Sequence, residues 1–232
     1  MKLADLKKEW LQVVILAVPF CAVALLWDRL PGWVPIHWNA RGEVDGIARK
    51  SFGTLLVPVV NVGIALLTGL LPLIDPKLRK HDPEMRASLW RTVRIFRLAI
   101  TAFMSFVSLV MLAATLKLFK DGANFTYAIY IGMGFLFVVL GNFMTKLRPN
   151  YFVGIRTPWT LESKEVWAQT HRVGGRLMMV EGFLMIGLCF IVPPERYAFW
   201  VVLPLTLGFA LFSILYSYVL YKKLGVVRHA SQ

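Results

Sequence analysis

Four polar side chains crowd one short segment of the chain: His37, Asn39, Glu43 and Asp45 lie between two long apolar runs. An imidazole, an amide and two carboxylates at that spacing supply acceptors that could converge on a cation or on a basic peptide. The same residues also suit turns, Asn39 and Asp45 by bonding nearby backbone and His37 by bonding a carbonyl. A second set, Asn150, Arg156, Thr157, Trp159, His171 and Arg172, sits between Asn142 and Arg176 among several glycines that permit unusual backbone geometry. Guanidinium groups and aromatic rings in one loop suit anionic lipid phosphates or a protein partner.

Glu181 is the third feature, because it interrupts an apolar run, where an ionisable group is costly and marks function by default. Arg176 or Arg172 could pair with it, His171 could share a proton with it, and Asn142 could donate a hydrogen bond. A structural ion pair and a proton relay are both open readings.

These residues are held by elements that read as membrane spans. Of 232 residues, 57% are hydrophobic and 17% charged, which excludes a single soluble globule. Six apolar stretches are expected to be helices: Trp10 to Trp27, Phe52 to Ile74, Leu98 to Leu116, Phe125 to Met144, Leu177 to Val192 and Tyr197 to Tyr221. Continuous rather than alternating hydrophobicity favours helices over barrel strands. The fold class is therefore all-α, a polytopic membrane protein with about six transmembrane helices. The first segment reads as a retained anchor rather than a cleaved leader. Three domains are expected: an amino-terminal membrane unit over 1–74, a basic connector over 75–97 whose end from Met85 is helical, and a four-helix unit over 98–232 with its loop at 145–176.

Charge sets the orientation. Lys and Arg total 26 against 13 Asp and Glu, and nineteen of the 26 fall on one side of the expected spans, seven on the other. Positive residues stay cytoplasmic, so both termini and the 145–176 loop are expected inside and the His37 segment outside. This asymmetry accounts for the basic balance, and direct nucleic-acid binding is not expected. Val34, Ile36 and Trp38 alternate with His37 before a turn-like Asn39 to Glu43, which predicts a small hairpin lying on the membrane by its tryptophans. In the inner loop, Thr157 followed by Pro158, and Thr160 followed by Ser163, read as helix starts, and an interfacial amphipathic helix follows, anchored by Tyr151, Phe152, Trp159 and Trp167. Asn61, Gly63, Gly69, Gly132 and Gly134 read as residues that let helices approach or hold together.

Nothing points to catalysis. The chain lacks a phosphate-binding G-x-x-x-x-G-K-[ST], a zinc-binding H-E-x-x-H and a G-x-S-x-G elbow. Cys21 and Cys189 sit in apolar runs and read as buried hydrophobes. No enzyme activity, metal or cofactor is expected.

The two loops carry a resemblance. V-P-I-H-W-N-A-R-G-E-V-D-G at Val34 to Gly46 looks like a small amino-terminal membrane domain often fused to the SdpI family. G-N-F-M-T-K-L-R-P-N-Y-F-V-G-I-R-T-P-W-T-L at Gly141 to Leu161, continued by V-W-A-Q-T-H-R-V-G-G at Val166 to Gly175, resembles the inner signature of that family. The resemblance implies a multi-pass protein of the bacterial inner membrane that gives immunity to a secreted toxin peptide and draws a transcriptional repressor to the membrane. It would place toxin binding at His37, Asn39 and Asp45, and the repressor at Arg156, Trp159, His171 and Arg172. A proton-linked permease lined by Glu181, Asn142 and His171 is the alternative from another class.

Overall fold

In the computed structural model, residues 9–39, 41–74, 83–119, 122–151 and 153–225 are described. Helix α1 spans Trp10–Leu26 and passes through a short 3-10 turn, Trp27–Arg29, into the hairpin β1 (Trp33–Trp38) and β2 (Val44–Arg49). Helix α2 (Lys50–Ile74) follows at once, then α3 (Pro83–Thr115) and α4 (Gly122–Met144). Two helices, α5 (Pro158–Glu162) and α6 (Lys164–Leu188), precede α7 (Pro194–Tyr197), a π-helical turn at Ala198–Val202, and α8 (Leu203–Lys223). The helical lead-in expected from Met85 is the start of α3. The expected connector residues 75–82, Phe152, the lysines before Glu9 and Arg228 lie outside the described residues.

Five helices among the described residues are long and apolar enough to cross a membrane: Trp10–Arg29, Lys50–Leu70, Trp90–Thr115, Asn124–Met144 and Pro194–Lys223. The chain is a multi-pass membrane protein. The remaining expected span is the second half of α6. That helix begins at Lys164, inside the stretch expected to be loop, and its 25 residues run about 37 Å at 1.5 Å per residue. The interfacial helix and the fifth span are thus one continuous rod, and its charges at Lys164, Glu165, Arg172, Arg176 and Glu181 dilute the hydropathy.

Most of α6 lies along α4. The two come close because two pairs of glycines face each other. A Cβ on Gly141 would stand 2.6 Å from the Gly175 carbonyl, and one on Gly175 equally close to the Gly141 carbonyl. Seven residues along, Gly134 and Gly182 meet in the same way, at 2.7 and 2.5 Å. Small residues let antiparallel backbones touch, so van der Waals packing replaces a hydrophobic effect that lipid cannot supply. Gly132 likewise admits the Phe106 ring, and Gly69 the Arg97 head; Gly63 faces nothing within 4 Å, so close approach is not its role.

The first three helices are tied by a polar cluster. The Asn61 amide donates to the Thr101 carbonyl and to Ser105 Oγ, each at 3.0 Å, and Gln12 Nε2 donates to Thr101 Oγ1 at 2.9 Å. Asn61 is therefore an interhelical tie, as its position suggested. At the same end, Arg97 bonds the Glu9 carboxylate. An apolar cluster of Phe96, Met144, Leu147 and Trp167 joins α3, α4 and α6.

Candidate functional site

The hairpin is built as its alternation predicts, with Val34 buried and His37 on the exposed face. Val34 reaches down onto α2, where Gly53 leaves room for its methyl group that any Cβ would take. Trp38 stacks on Phe125 at 4.2 Å between ring centroids, which fastens the hairpin to the start of α4. Lys50 lies 4.6 Å over the Trp27 ring. The strand register slips around His37, and this brings His37 Nδ1 within 2.5 Å of Asp45 Oδ1.

Asn39 is spent on the turn. Its Oδ1 accepts from the amides of Arg41 and Glu43 at 2.8 and 3.1 Å, while its Nδ2 donates to the Glu43 carboxylate at 2.8 Å. The four polar residues therefore form two separate pairs, His37 with Asp45 and Asn39 with Glu43, rather than one convergent cation site. Among the described residues no group of three or more His, Cys, Asp or Glu is placed to hold a metal ion.

At the other end of α4 the loop folds onto α6 through buried hydrogen bonds. Asn150 Nδ2 donates to the Arg148 and Val153 carbonyls, and its Oδ1 accepts from the Val153 amide at 2.7 Å, so this residue shapes the loop. His171, 1% exposed, takes the Ile155 amide on Nε2 at 2.9 Å and gives its Nδ1 proton to the Trp167 carbonyl at 2.8 Å. An accepting Nε2 makes the ring the neutral Nδ1–H tautomer. Burial moves its pKa down to about 4, against a smaller upward effect of the Trp167 carbonyl.

Trp167 stacks on His171 at 4.0 Å and bonds the Leu147 carbonyl through its indole at 2.8 Å. Trp167 is 1% exposed, a core residue and not the interfacial anchor expected from its amphipathic ring. Gly154 makes the arrangement possible. It holds φ +108°, and a Cβ there would collide with His171 Nε2.

Thr157 caps α5 in a reciprocal box with Thr160, and its hydroxyl also bonds Ser217 of α8 at 2.9 Å. Thr160, expected to start a helix with Ser163, instead closes this box from inside α5, its hydroxyl accepting from the Thr157 amide at 3.0 Å. Ser163 caps α6 as expected. Arg156 is exposed and donates to the Tyr151 carbonyl at 2.6 Å, Arg172 is exposed, and Trp159 tilts against Tyr218 at 5.0 Å.

Glu181 does not find the partners expected for it. It is 5% exposed, and neither carboxylate oxygen has a hydrogen-bond partner. Arg172, nine residues earlier, points about 180° away around the helix, and Arg176 about 140° away. Asn142 is exposed, and His171 is committed to Ile155 and Trp167. The polar path of Glu181, Asn142 and His171 that a permease would need is not assembled.

With both ends of the molecule described, the comparisons fall on them. Residues 146–217 match the SdpI/YfhL protein family. Residues 14–62 match a domain of unknown function, DUF1648. Over 220 residues the chain is 26% identical to the immunity protein SdpI of Bacillus subtilis (strain 168), an alignment covering 95% of this chain and 99% of that protein. No solved structure matches. The resemblance to the SdpI family read from the two loops therefore holds. The SdpI/YfhL match takes in Gly154, the Thr157 cap, the Trp167 and His171 stack, Glu181 and Ser217, while the DUF1648 match takes in the whole hairpin.

Proposed function

We propose that this chain is an immunity protein of the bacterial inner membrane, protecting its cell from a secreted antimicrobial toxin peptide. The observation that carries this reading is the alignment with the Bacillus subtilis immunity protein, which runs through both loops and nearly the full length of each chain. The role is binding rather than catalysis. The hairpin is the peptide-facing surface. Trp33, 59% exposed, offers an amphipathic ring to a peptide partitioned into the bilayer, and the His37 and Asp45 pair offers it polar contacts.

The loop of 145–176 is the surface for a soluble transcriptional repressor, with Arg156 and Arg172 exposed, Trp159 half-buried between loop and α8, and anionic lipid beside them. Asn150, Thr157 and His171 act indirectly, by holding that loop in shape. Helix α4 spans the two faces: Phe125 at its start grips Trp38, and Met144 at its end packs beside Trp167. A peptide that displaces the hairpin therefore bears on α4 and through it on the loop.

The test is survival and membrane potential of toxin-sensitive cells that express the protein and are challenged with a sporulation-delaying type peptide. Wild type should protect, and His37→Ala should lose protection at equal membrane levels. Arg156→Ala should keep protection but lose co-purification of a repressor. Full insertion without protection sinks the immunity reading, and absence of any cytoplasmic partner with or without toxin sinks recruitment.

A further inference from the structure

Glu181 is left over by the reading above. It lies on the buried side of α6 with Gly174 seven residues before it and Met185 four residues after it, Gly174 facing Ile155 and Phe209. Its neighbour Gly182 touches the Gly134 backbone of α4. Both carboxylate oxygens are orphaned, and the side chain is more than nine-tenths buried.

Among the described residues no cation bonds Glu181, and Glu195 and Arg196 of α7, which Tyr197 ties to α6, are both exposed. Helix α4 carries Tyr127 and Tyr130 as its titratable groups, and the π-helical turn carries none. Tyr197, stacked on Tyr130 at 4.4 Å, gives its hydroxyl proton to the Met185 carbonyl. Cys189 donates to the same carbonyl at 3.3 Å. Glu162 of α5 and Tyr216, Tyr218, Tyr221, Lys222 and Lys223 of α8 lie toward the other end of α6, where Thr157 bonds Ser217. On α6 itself, Lys164, Glu165 and His171 are ten or more residues away, and Arg172 and Arg176 turn outward.

A buried carboxylate with neither counter-ion nor donor costs several kcal/mol or more, and a carboxyl escapes that cost by holding a proton. We propose that Glu181 is a proton-binding site inside the membrane, occupied at neutral pH while α6 stays packed against its neighbours. Unpacking of this face would admit water to the carboxyl and release the proton, so loosening of α6 from its neighbours is proton-linked. The inference goes beyond the immunity reading and does not depend on it.

The experiment is infrared spectroscopy of the full-length protein in lipid vesicles at pH 7, comparing wild type with Glu181→Gln. Exposed Asp and Glu are ionised at that pH and stay out of the carboxylic-acid carbonyl band. Wild type should show one protonated carboxyl that the variant lacks. Should the variant not fold, wild-type vesicles are treated with a hydrophobic carbodiimide, which reacts with protonated carboxyls, and the adduct is mapped by mass spectrometry. Modification at Glu181 that fades as pH rises supports the site. An unchanged carbonyl band, or an unmodified Glu181 peptide at every pH, overturns it.

Discussion

His171 draws attention as a titratable residue in a polar loop, yet the ring works as a fixed neutral connector. Its type was legible in the sequence; its role was not, because that depends on the Ile155 amide, brought to Nε2 by a left-handed glycine seventeen residues before the histidine. The unfolded chain takes up a proton at this ring near pH 6.5, whereas the folded protein resists protonation down to about pH 4. Stability therefore rises with pH across that window and is lost as pH falls through it, by up to about 1.4 kcal/mol per pH unit. Thermal melts of the detergent-solubilised protein from pH 7 to pH 4 should show this slope, and His171→Phe should flatten it. That variant keeps the stack but leaves the Ile155 amide unpaired, at a cost of about 1–3 kcal/mol. Gly154→Ala should lower the melting temperature at every pH, since it adds a collision to a backbone strain of about 1–3 kcal/mol. Glu181 shows the opposite limit. Helical periodicity alone separates it from Arg172 and Arg176, so the absence of those ion pairs was readable from 100° per residue; its burial was not.

At the scale of elements, hydropathy placed the apolar helices, and alternation placed the hairpin with Val34 inward and His37 outward. At α6 hydropathy placed only the second half, because charges spread around its first half hid that the helix already begins at Lys164. The glycine pairs were equally hidden, because Gly134 and Gly182 are joined only by the register between two helices and no local spacing reveals that register. Gly182→Ala would place a methyl group 2.5 Å from the Gly134 carbonyl and should force the helices apart. The expected result is a marked fall in melting temperature, whereas Gly187→Ala, on the same helix with nothing within 4 Å, should leave it unchanged or raise it. Thr157→Val should cost about 1 kcal/mol as a lost cap, together with the Ser217 bond, and should raise proteolytic nicking of the adjoining loop.

For the whole molecule, parity ties α6 to the orientation of the chain. Both termini share a side only if α6 crosses along with the five apolar helices, the arrangement under which nineteen basic residues fall on one face. Single cysteines introduced at Glu43 and at Arg196 should react with a membrane-impermeant thiol reagent in intact cells, and cysteines at Arg156 and Lys223 only after lysis. Labelling of Lys223 in intact cells would mean that α6 does not cross. The contact between α4 and α6 also bears on how the chain assembles. Glycines have no rotamers to freeze, so docking these two helices removes little conformational freedom beyond what each lost on becoming helical. Because membrane helices form first and dock second, the pair can close as soon as Leu188 has left the insertion machinery. The last helix, α8, then meets a finished template when it follows.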